Sequence, residues 1–270
     1  MKSLKELWGD RVTIRTASLP VPLAGLEDRR SDELDLALIL TNKCKAACAH
    51  CYNFSGPKGT MEISSAKLNS ILSSGRIMER KIGRVGFSGG EPFSYYGLNQ
   101  LVETAKSSGI SVACITGGIG VVPSEIDELA ASGCDKLTVS YDRFHSKFFC
   151  EDDFVSFVNT AAKYINTVTV QFVTSTTDQD VNLMHRILPR IEEKVRMTIL
   201  PLSHTGRAAH AKTKENLQSD KVAMKLSDIP SFVRNADQIV VNFDEWIFGV
   251  CDVAKFGSEN RICRLDDLIF

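Results

Sequence analysis

Short apolar segments alternate along this chain with amphipathic segments of helical length, and few folds accommodate such an alternation. The apolar segments lack a clean period of two, which is typical of parallel strands covered on both faces. Six strands are predicted, at 34–41, 83–88, 110–116, 135–141, 167–174 and 194–201. Helices are predicted between them, at 64–80, 97–108, 123–132, 152–163 and 179–192. The sequence therefore predicts an α/β fold, a partial (β/α)6 parallel barrel.

Both ends of the chain depart from this pattern. Residues 1–32 are predicted to form an N-terminal extension with a short β-like piece at Val12–Thr16, and residues 33–206 to form the barrel. Residues 207–270 are predicted to form a linker and a small C-terminal α+β extension. Within this extension we expect a short helix in "LSDIPSFVRNA" and a β-hairpin in "QIVVNFDEWIFGVCDV".

Composition and charge narrow the function classes. The formal net charge of −1 gives no broad attraction to nucleic acid or to an anionic membrane surface. The start of the chain lacks the apolar region of a secretory signal, and no apolar run reaches the length of a membrane span. We therefore expect a cytoplasmic protein, in a compartment where stable disulfides are rare. Eight cysteines in such a chain favour metal or cluster binding.

Three of these cysteines, Cys44, Cys48 and Cys51, lie in "CKAACAHC" directly after the first predicted strand. Parallel α/β folds assemble their active sites at this carboxyl end of the strands. A zinc site usually has four ligands, often from two cysteine pairs or from cysteines with histidines. Three thiolates fit an iron–sulfur cube in which one iron keeps an open coordination position. A structural zinc site and an incidental cluster of cysteines remain the alternatives.

Several motifs together resemble those of the radical S-adenosylmethionine (radical SAM) superfamily. The cysteines match its C-x3-C-x2-C motif, and "FSGGEPF" after the second predicted strand resembles its Gly-Gly-Glu-Pro motif. The resemblance extends to "TGG" after the third strand and "VSYDRFH" after the fourth, and covers roughly residues 33–206. It implies one 4Fe–4S cluster held by Cys44, Cys48 and Cys51, with the open iron chelated by S-adenosylmethionine (SAM). It also implies reductive cleavage of SAM to a 5′-deoxyadenosyl radical that takes hydrogen from a substrate.

The resemblance also assigns candidate cofactor-binding residues. Gly89 and Gly90 would let backbone carbonyls approach the methionyl amino group, and Glu91 would orient that edge. His50 and Tyr52 stand where the superfamily packs a side chain on adenine, although His50 is equally compatible with a loop or supporting role. The weaker candidates for cofactor contacts follow other strands, and they are Thr116, Ser140, Asp142, Thr174 and the backbone near Leu200. Asp142, His204 and Arg207 are weak candidates for catalytic or substrate-facing residues, with capping and exposed-loop roles as the alternatives.

The other cysteines receive separate interpretations. Cys114, Cys134 and Cys150 are interpreted as incidental. Cys251 and Cys263 follow the predicted hairpin, which resembles the SPASM or twitch extension that carries auxiliary clusters in relatives. Such domains supply at least three cysteines per cluster, so an auxiliary cluster is not expected, and a shortened extension without one is favoured.

Substrate and partners follow only from the resemblance. Relatives with this type of C-terminal extension modify ribosomal peptides, which predicts a peptide substrate and a crosslinking or epimerising reaction. No N-terminal peptide-recognition domain is expected, so a separate recognition protein is a candidate partner, together with a reductant such as flavodoxin or ferredoxin. A radical SAM dehydrogenase or epimerase of a small molecule remains the alternative within the enzymes. A non-catalytic iron–sulfur protein for regulation or electron transfer is the alternative from another class.

Overall fold

The computed structural model describes residues 11–14, 33–77, 79–174, 178–202, 207, 224–225, 238–241 and 246–250, and every structural statement below concerns these residues. The strands are β1 Val12–Ile14, β2 Leu34–Ile39, β3 Arg76–Ile77, β4 Arg80–Ser88, β5 Ser111–Thr116, β6 Lys136–Ser140, β7 Thr167–Thr174, β8 Arg196–Pro201, β9 Met224–Lys225, β10 Gln238–Val241 and β11 Trp246–Val250. The α-helices are α1 Ser65–Ser74, α2 Leu98–Ser107, α3 Pro123–Ala131, α4 Glu151–Tyr164 and α5 Asp178–Ile187. Short 3-10 helices occupy Pro92–Ser94 and Leu188–Arg190.

The six predicted strands form a continuous parallel sheet in the order β2-β4-β5-β6-β7-β8. Each consecutive pair from β4 onward is joined by a helix, and α1 lies between β2 and β4. The β2 strand is buried along its whole length, as expected of a strand covered on both faces. This arrangement confirms the predicted α/β fold and brings the carboxyl ends of all six strands to one edge.

Further strands extend this sheet at both ends, β1 beyond β8 and β10, β11 and β9 beyond β2. β1 pairs in parallel with β8, and β10 pairs in parallel with β2, from Gln238 opposite Asp35 to Val241 opposite Leu38. The predicted C-terminal hairpin is present, because β10 and β11 pair antiparallel. The first strand of this hairpin, β10, is thus also a strand of the barrel sheet. The helix predicted in "LSDIPSFVRNA" lies outside the described residues.

The helix predicted over 64–80 is shorter than expected. It ends at Ser74 because Gly75 adopts the left-handed conformation (φ 63°) and caps it through a hydrogen bond to Leu72. The chain then forms β3, which pairs antiparallel with the start of β4. The last predicted helix also ends early, at Ile187, where the 3-10 turn containing Pro189 begins.

The barrel core is apolar, and the charged residue inside β2 is paired. Asp35 is 7% exposed and accepts two hydrogen bonds from the guanidinium of Arg84, at 2.9 and 3.1 Å. This bidentate pair compensates the burial of the charge between neighbouring strands. No helix among the described residues is long and apolar enough to cross a membrane.

Candidate active site

The loop that carries the three cysteines begins at the carboxyl end of β2 and is held by its own backbone. The fully buried Thr41 donates its hydroxyl to the Met61 carbonyl (2.9 Å) and accepts the Lys43 N–H (3.0 Å). Farther along, the Cys44 N–H donates to the Gly56 carbonyl and the Cys51 N–H to the Cys48 carbonyl, both at 3.1 Å. The positions of the cysteines are therefore fixed by the fold of the loop.

The three thiols lie in one small cluster with Ala46, Ile119, Phe144 and Phe149. All three are free, Cys48 is buried, and the Ala46 N–H donates to the Cys44 sulfur at 3.4 Å. The pKa of Cys44 is raised to about 11 and that of Cys48 to about 12, mainly by burial, with smaller contributions from nearby carboxylates and from the neighbouring cysteines. Buried thiols that disfavour each other's charge fit a site completed by metal, because iron or zinc binds the thiolate and displaces its proton. The donor set therefore fits a metal or iron–sulfur cluster.

Gly89 and Gly90 lie directly against this loop. The Gly90 N–H donates to the Thr41 carbonyl (2.6 Å), and the Glu91 N–H donates to the Lys43 carbonyl (2.8 Å). A Cβ on Gly90 would lie 2.2 Å from the Lys43 carbonyl oxygen, and one on Gly89 would lie 2.7 Å from that of Thr41. Gly89 also has a φ of 149°, which an L side chain rarely adopts. Glycine is therefore required here for contact between two backbone segments of the protein.

The Glu91 side chain links the loop after β4 to the loop after β5. Its carboxylate accepts the hydroxyl of Thr116 (2.7 Å), the Gly117 N–H (3.1 Å) and the Phe93 N–H (3.3 Å). It is 2% exposed, and burial raises its pKa to about 7 against the opposing effect of these hydrogen bonds. Glu91 thus joins these two loops and accepts the hydroxyl of Thr116, while the predicted cofactor contacts of both residues stay predictions.

Asp142, at the carboxyl end of β6, holds two imidazoles. Its Oδ1 accepts the N–H groups of Phe144 (2.8 Å) and His145 (3.1 Å) and lies 3.0 Å from Nδ1 of His145. Its Oδ2 lies 3.2 Å from Nε2 of His50, whose ring stacks on Phe144 with centroids 4.4 Å apart. The two imidazoles hold the pKa of this buried carboxyl far below its usual range, and Asp142 in turn raises the pKa of His145.

Asp142 is fully buried and both its oxygens face imidazoles, so its predicted contact with a cofactor stays a prediction. The sequence pointed to Asp142 and His50 but missed His145. The signal available was its position three residues after Asp142 at a strand end.

Gly117 lies beside the side chains of His145, Glu91 and Ile119. A Cβ on Gly117 would lie 3.7 Å from Cδ2 of His145 and 3.8 Å from Oε2 of Glu91. Cδ2 adjoins Nε2, the ring nitrogen that faces away from Asp142. The glycine therefore leaves room where a polar ring edge and a carboxylate converge.

Arg207, a candidate for a catalytic or substrate-facing residue, contacts the cysteine loop. Its Nε donates to the Cys48 carbonyl (2.9 Å), its Nη2 donates to the Ser55 carbonyl, and its N–H donates to the Cys51 carbonyl (2.9 Å). The structure thus places Arg207 against the cysteine loop. His204, the other candidate from this segment, lies outside the described residues.

The remaining candidates, Tyr52, Ser140, Thr174 and Leu200, lie at or near the same edge of the sheet. Burial raises the pKa of Tyr52 to about 12. Ser140 ends β6 and is half-buried. Thr174 donates its hydroxyl to Asp180 (3.0 Å), at the start of α5, while Leu200 is buried within β8.

Among the other cysteines, Cys114 and Cys134 are buried in the core and Cys150 caps α4, with its sulfur accepting the Asp153 N–H. Cys251 and Cys263 lie outside the described residues, so the prediction that no auxiliary cluster is present stays a prediction.

Comparison with known proteins identifies the family. A profile of the radical SAM superfamily matches residues 38–177, just over half of the chain and the part that carries the cysteine and glycine loops. The chain belongs to the radical SAM superfamily. Membership implies a 4Fe–4S cluster and SAM as its cofactors. The family predicted from the sequence is confirmed.

Relatives within the superfamily differ in how much of the chain they cover. The putative peptide biosynthesis protein YydG of Bacillus subtilis is 24% identical over 233 residues, 83% of this chain and 71% of YydG. The mycofactocin maturase MftC of Mycobacterium ulcerans is 28% identical over 127 residues, 47% of this chain and only 34% of MftC. SuiB of Streptococcus suis bound to SAM matches with a TM-score of 0.55 and 18% identity, over 69% of this chain and 44% of SuiB. This last similarity supports the fold.

Proposed function

We propose that this member of the radical SAM superfamily is an enzyme that acts on a peptide and that Cys44, Cys48 and Cys51 are the ligands of its cluster. The ligand assignment rests on one observation: three free thiols lie close together in one loop. The backbone of this loop is hydrogen-bonded to the glycine motif. When bound, the cluster and SAM supply the reductive cleavage that yields a 5′-deoxyadenosyl radical. The protein's own residues hold the loop, orient the cofactor and exclude water.

The cofactor pocket we propose lies over the ends of β4, β5 and β6. Gly117, Glu91 and His145 would border it, and His50, whose ring contacts that of His145, would close the side toward the cysteine loop. Nδ1 of His145 lies 3.0 Å from Oδ1 of Asp142, and we place the other ring nitrogen, Nε2, toward this pocket. Asp142 acts as a positioning residue for both imidazoles, and Tyr52, Ser140, Thr174 and Leu200 remain weaker candidates for cofactor contacts.

A peptide substrate is supported by the relatives with the broadest coverage. YydG, named for peptide biosynthesis, aligns over 83% of this chain, and SuiB has been solved with its precursor peptide SuiA. The GTP 3′,8-cyclase of Chlorobaculum tepidum, which acts on a nucleotide, aligns over only 46%. We propose peptide crosslinking or epimerisation as the reaction. A separate recognition protein and a flavodoxin or ferredoxin are the proposed partners.

The test of the ligand assignment is reductive cleavage of SAM by anaerobically reconstituted protein. We expect 5′-deoxyadenosine from the wild type, a background level from Cys44→Ala, and an undiminished level from Cys150→Ser. Cys150 is the matched control because it is an exposed cysteine that caps α4, a role that serine retains. An undiminished yield and iron content in Cys44→Ala would contradict the assignment.

Two further measurements test the remaining proposals. About four irons per chain are expected for a single cluster, and about eight would overturn the prediction that no auxiliary cluster is present. For the substrate, a short precursor-peptide gene is sought beside this one, and its peptide is incubated with enzyme, reductant and SAM in D2O. A mass loss of two hydrogens indicates crosslinking and a gain of one deuterium indicates epimerisation, whereas an unmodified peptide would contradict the proposed substrate.

A further inference from the structure

The contacts of Arg207 span the cysteine loop across a long separation in sequence. Arg207 is 159 residues from Cys48 and 152 from Ser55, yet its guanidinium donates to both carbonyls. Its own N–H donates to the Cys51 carbonyl. Arg207 therefore holds the loop at two of the three cysteines and at a third position four residues after Cys51. Arg207 follows the last strand of the barrel, β8, and the cysteine loop follows the first, β2. These contacts therefore connect the segment after β8 to the loop after β2.

The chemistry of the contact requires arginine. A planar guanidinium directs rigid N–H groups to two carbonyls at once, whereas a lysine ammonium is a compact charge on a flexible stem. Hydrogen bonds from a charged donor are also stronger than neutral ones. Arg207 thus fixes the path of the loop from Cys48 to Ser55. A lysine at this position would keep the positive charge but would not hold both carbonyls.

Arg207 also places a positive charge beside the thiols, because its guanidinium Nε lies 2.9 Å from the carbonyl oxygen of Cys48. Arg207 is partly buried, so water screens this charge less than at the surface. Adding an electron to a cluster held by three thiolates increases its negative charge, and hydrogen bonds and charges near a cluster set its reduction potential.

We propose that Arg207 is a positioning residue of the cluster, which clamps the cysteine loop through its hydrogen bonds and makes the cluster easier to reduce through its charge. This inference rests on the proposed assignment of Cys44, Cys48 and Cys51 as ligands. The reduction that it favours is a one-electron transfer from a low-potential donor, such as a flavodoxin or dithionite.

The effect of the hydrogen bonds and the effect of the charge can be distinguished with two variants of the full-length, anaerobically reconstituted protein. Arg207→Met removes both the charge and the side-chain hydrogen bonds, and Arg207→Lys keeps the charge alone. Arg186→Met is the matched control, because Arg186 is an exposed arginine whose partner Glu151 lies at the start of α4. Cluster retention is measured as the rate of iron loss to a chelator, and the midpoint potential by a titration followed by electron paramagnetic resonance. SAM and peptide are absent from both measurements.

We expect iron loss to be about tenfold faster in both Arg207 variants, which corresponds to the loss of one hydrogen bond to a charged group. We expect a more negative potential in Arg207→Met and a potential near that of the wild type in Arg207→Lys, with Arg186→Met unchanged in both readouts. Wild-type rates and potentials in Arg207→Met would overturn the inference while leaving the ligand assignment intact. A wild-type protein that binds no iron would instead overturn the ligand assignment itself.

Discussion

The close contact between Gly90 and the cysteine loop makes Gly90→Ala the most direct test of how the site is built. The added methyl would lie 2.2 Å from the Lys43 carbonyl oxygen and 2.9 Å from the Asn42 carbonyl carbon. An ordinary carbon–oxygen contact is about 3.3 Å, so the two backbone segments must separate by roughly 1 Å. The atoms in the way belong to backbone, and no side-chain rotation relieves the overlap.

The cost follows from the hydrogen bonds that cross this contact. Gly90 donates to Thr41 at 2.6 Å and Glu91 donates to Lys43 at 2.8 Å, and a separation of this size breaks at least one of them. One lost hydrogen bond costs about 1 kcal/mol, and overpacking adds about 1–3 kcal/mol. We therefore expect Gly90→Ala to lower the free energy of unfolding by about 2–4 kcal/mol and to displace the segment leading into Cys44.

The assay compares Gly90→Ala with Gly56→Ala in the same loop. A Cβ on Gly56 would meet only the Ala46 carbonyl oxygen, at 4.0 Å, so this control adds a methyl without a clash. Unfolding is followed by urea titration of the reduced, cluster-free proteins, and iron content is measured after reconstitution. If both variants unfold within about 0.5 kcal/mol of each other and bind equal iron, the contact does not position the loop as the structure indicates.

Three further predictions concern the neighbouring residues. Because burial raises the pKa of Glu91 from 4.5 to about 7, its ionisation opposes folding. The free energy of unfolding should fall by about 3 kcal/mol as the pH rises from 4.5 through 7, and urea titrations of Glu91→Gln should lack this slope. Gly117→Ala makes only ordinary contacts with His145 and Glu91, so we expect wild-type stability but about tenfold weaker SAM binding by calorimetry of the reconstituted protein. Asp142→Ala leaves the N–H groups of Phe144 and His145 unpaired and should cost about 3 kcal/mol in urea titrations, whereas Asp142→Asn keeps the acceptor oxygen and should cost less.

The barrel strands were predictable because each carries its own local signal, an apolar segment bounded by turn residues. The pairing of β10 with β2 was not, since strand partners some 200 residues apart leave no mark on local periodicity. The short β3 was missed for a related reason. Its two residues are too few for a period, and Gly75 alone marked the end of the preceding helix.

The candidate site shows the same division between local motif and long-range contact. The cysteine and glycine motifs are contiguous in sequence and were recognised there. The sequence assigned Gly89 and Gly90 to close approach by the cofactor, whereas the structure shows both against the backbone of the cysteine loop. The clamp formed by Arg207 had no signal at all, because an arginine after a strand is equally typical of an exposed loop.

Direct contacts between loops assemble this site from separate strand ends. The β4 loop joins the cysteine loop through Gly90 and Thr41, and Lys45 reaches the β5 loop by donating to the Gly120 carbonyl at 2.6 Å. The β6 loop joins it through Asp142 and His50. The loop that would hold the cluster is thus in contact with the loops that border the proposed cofactor space. A change in any one of these contacts should alter cluster retention and SAM affinity together, whereas a change confined to the space itself, such as the methyl at residue 117, should alter SAM affinity alone.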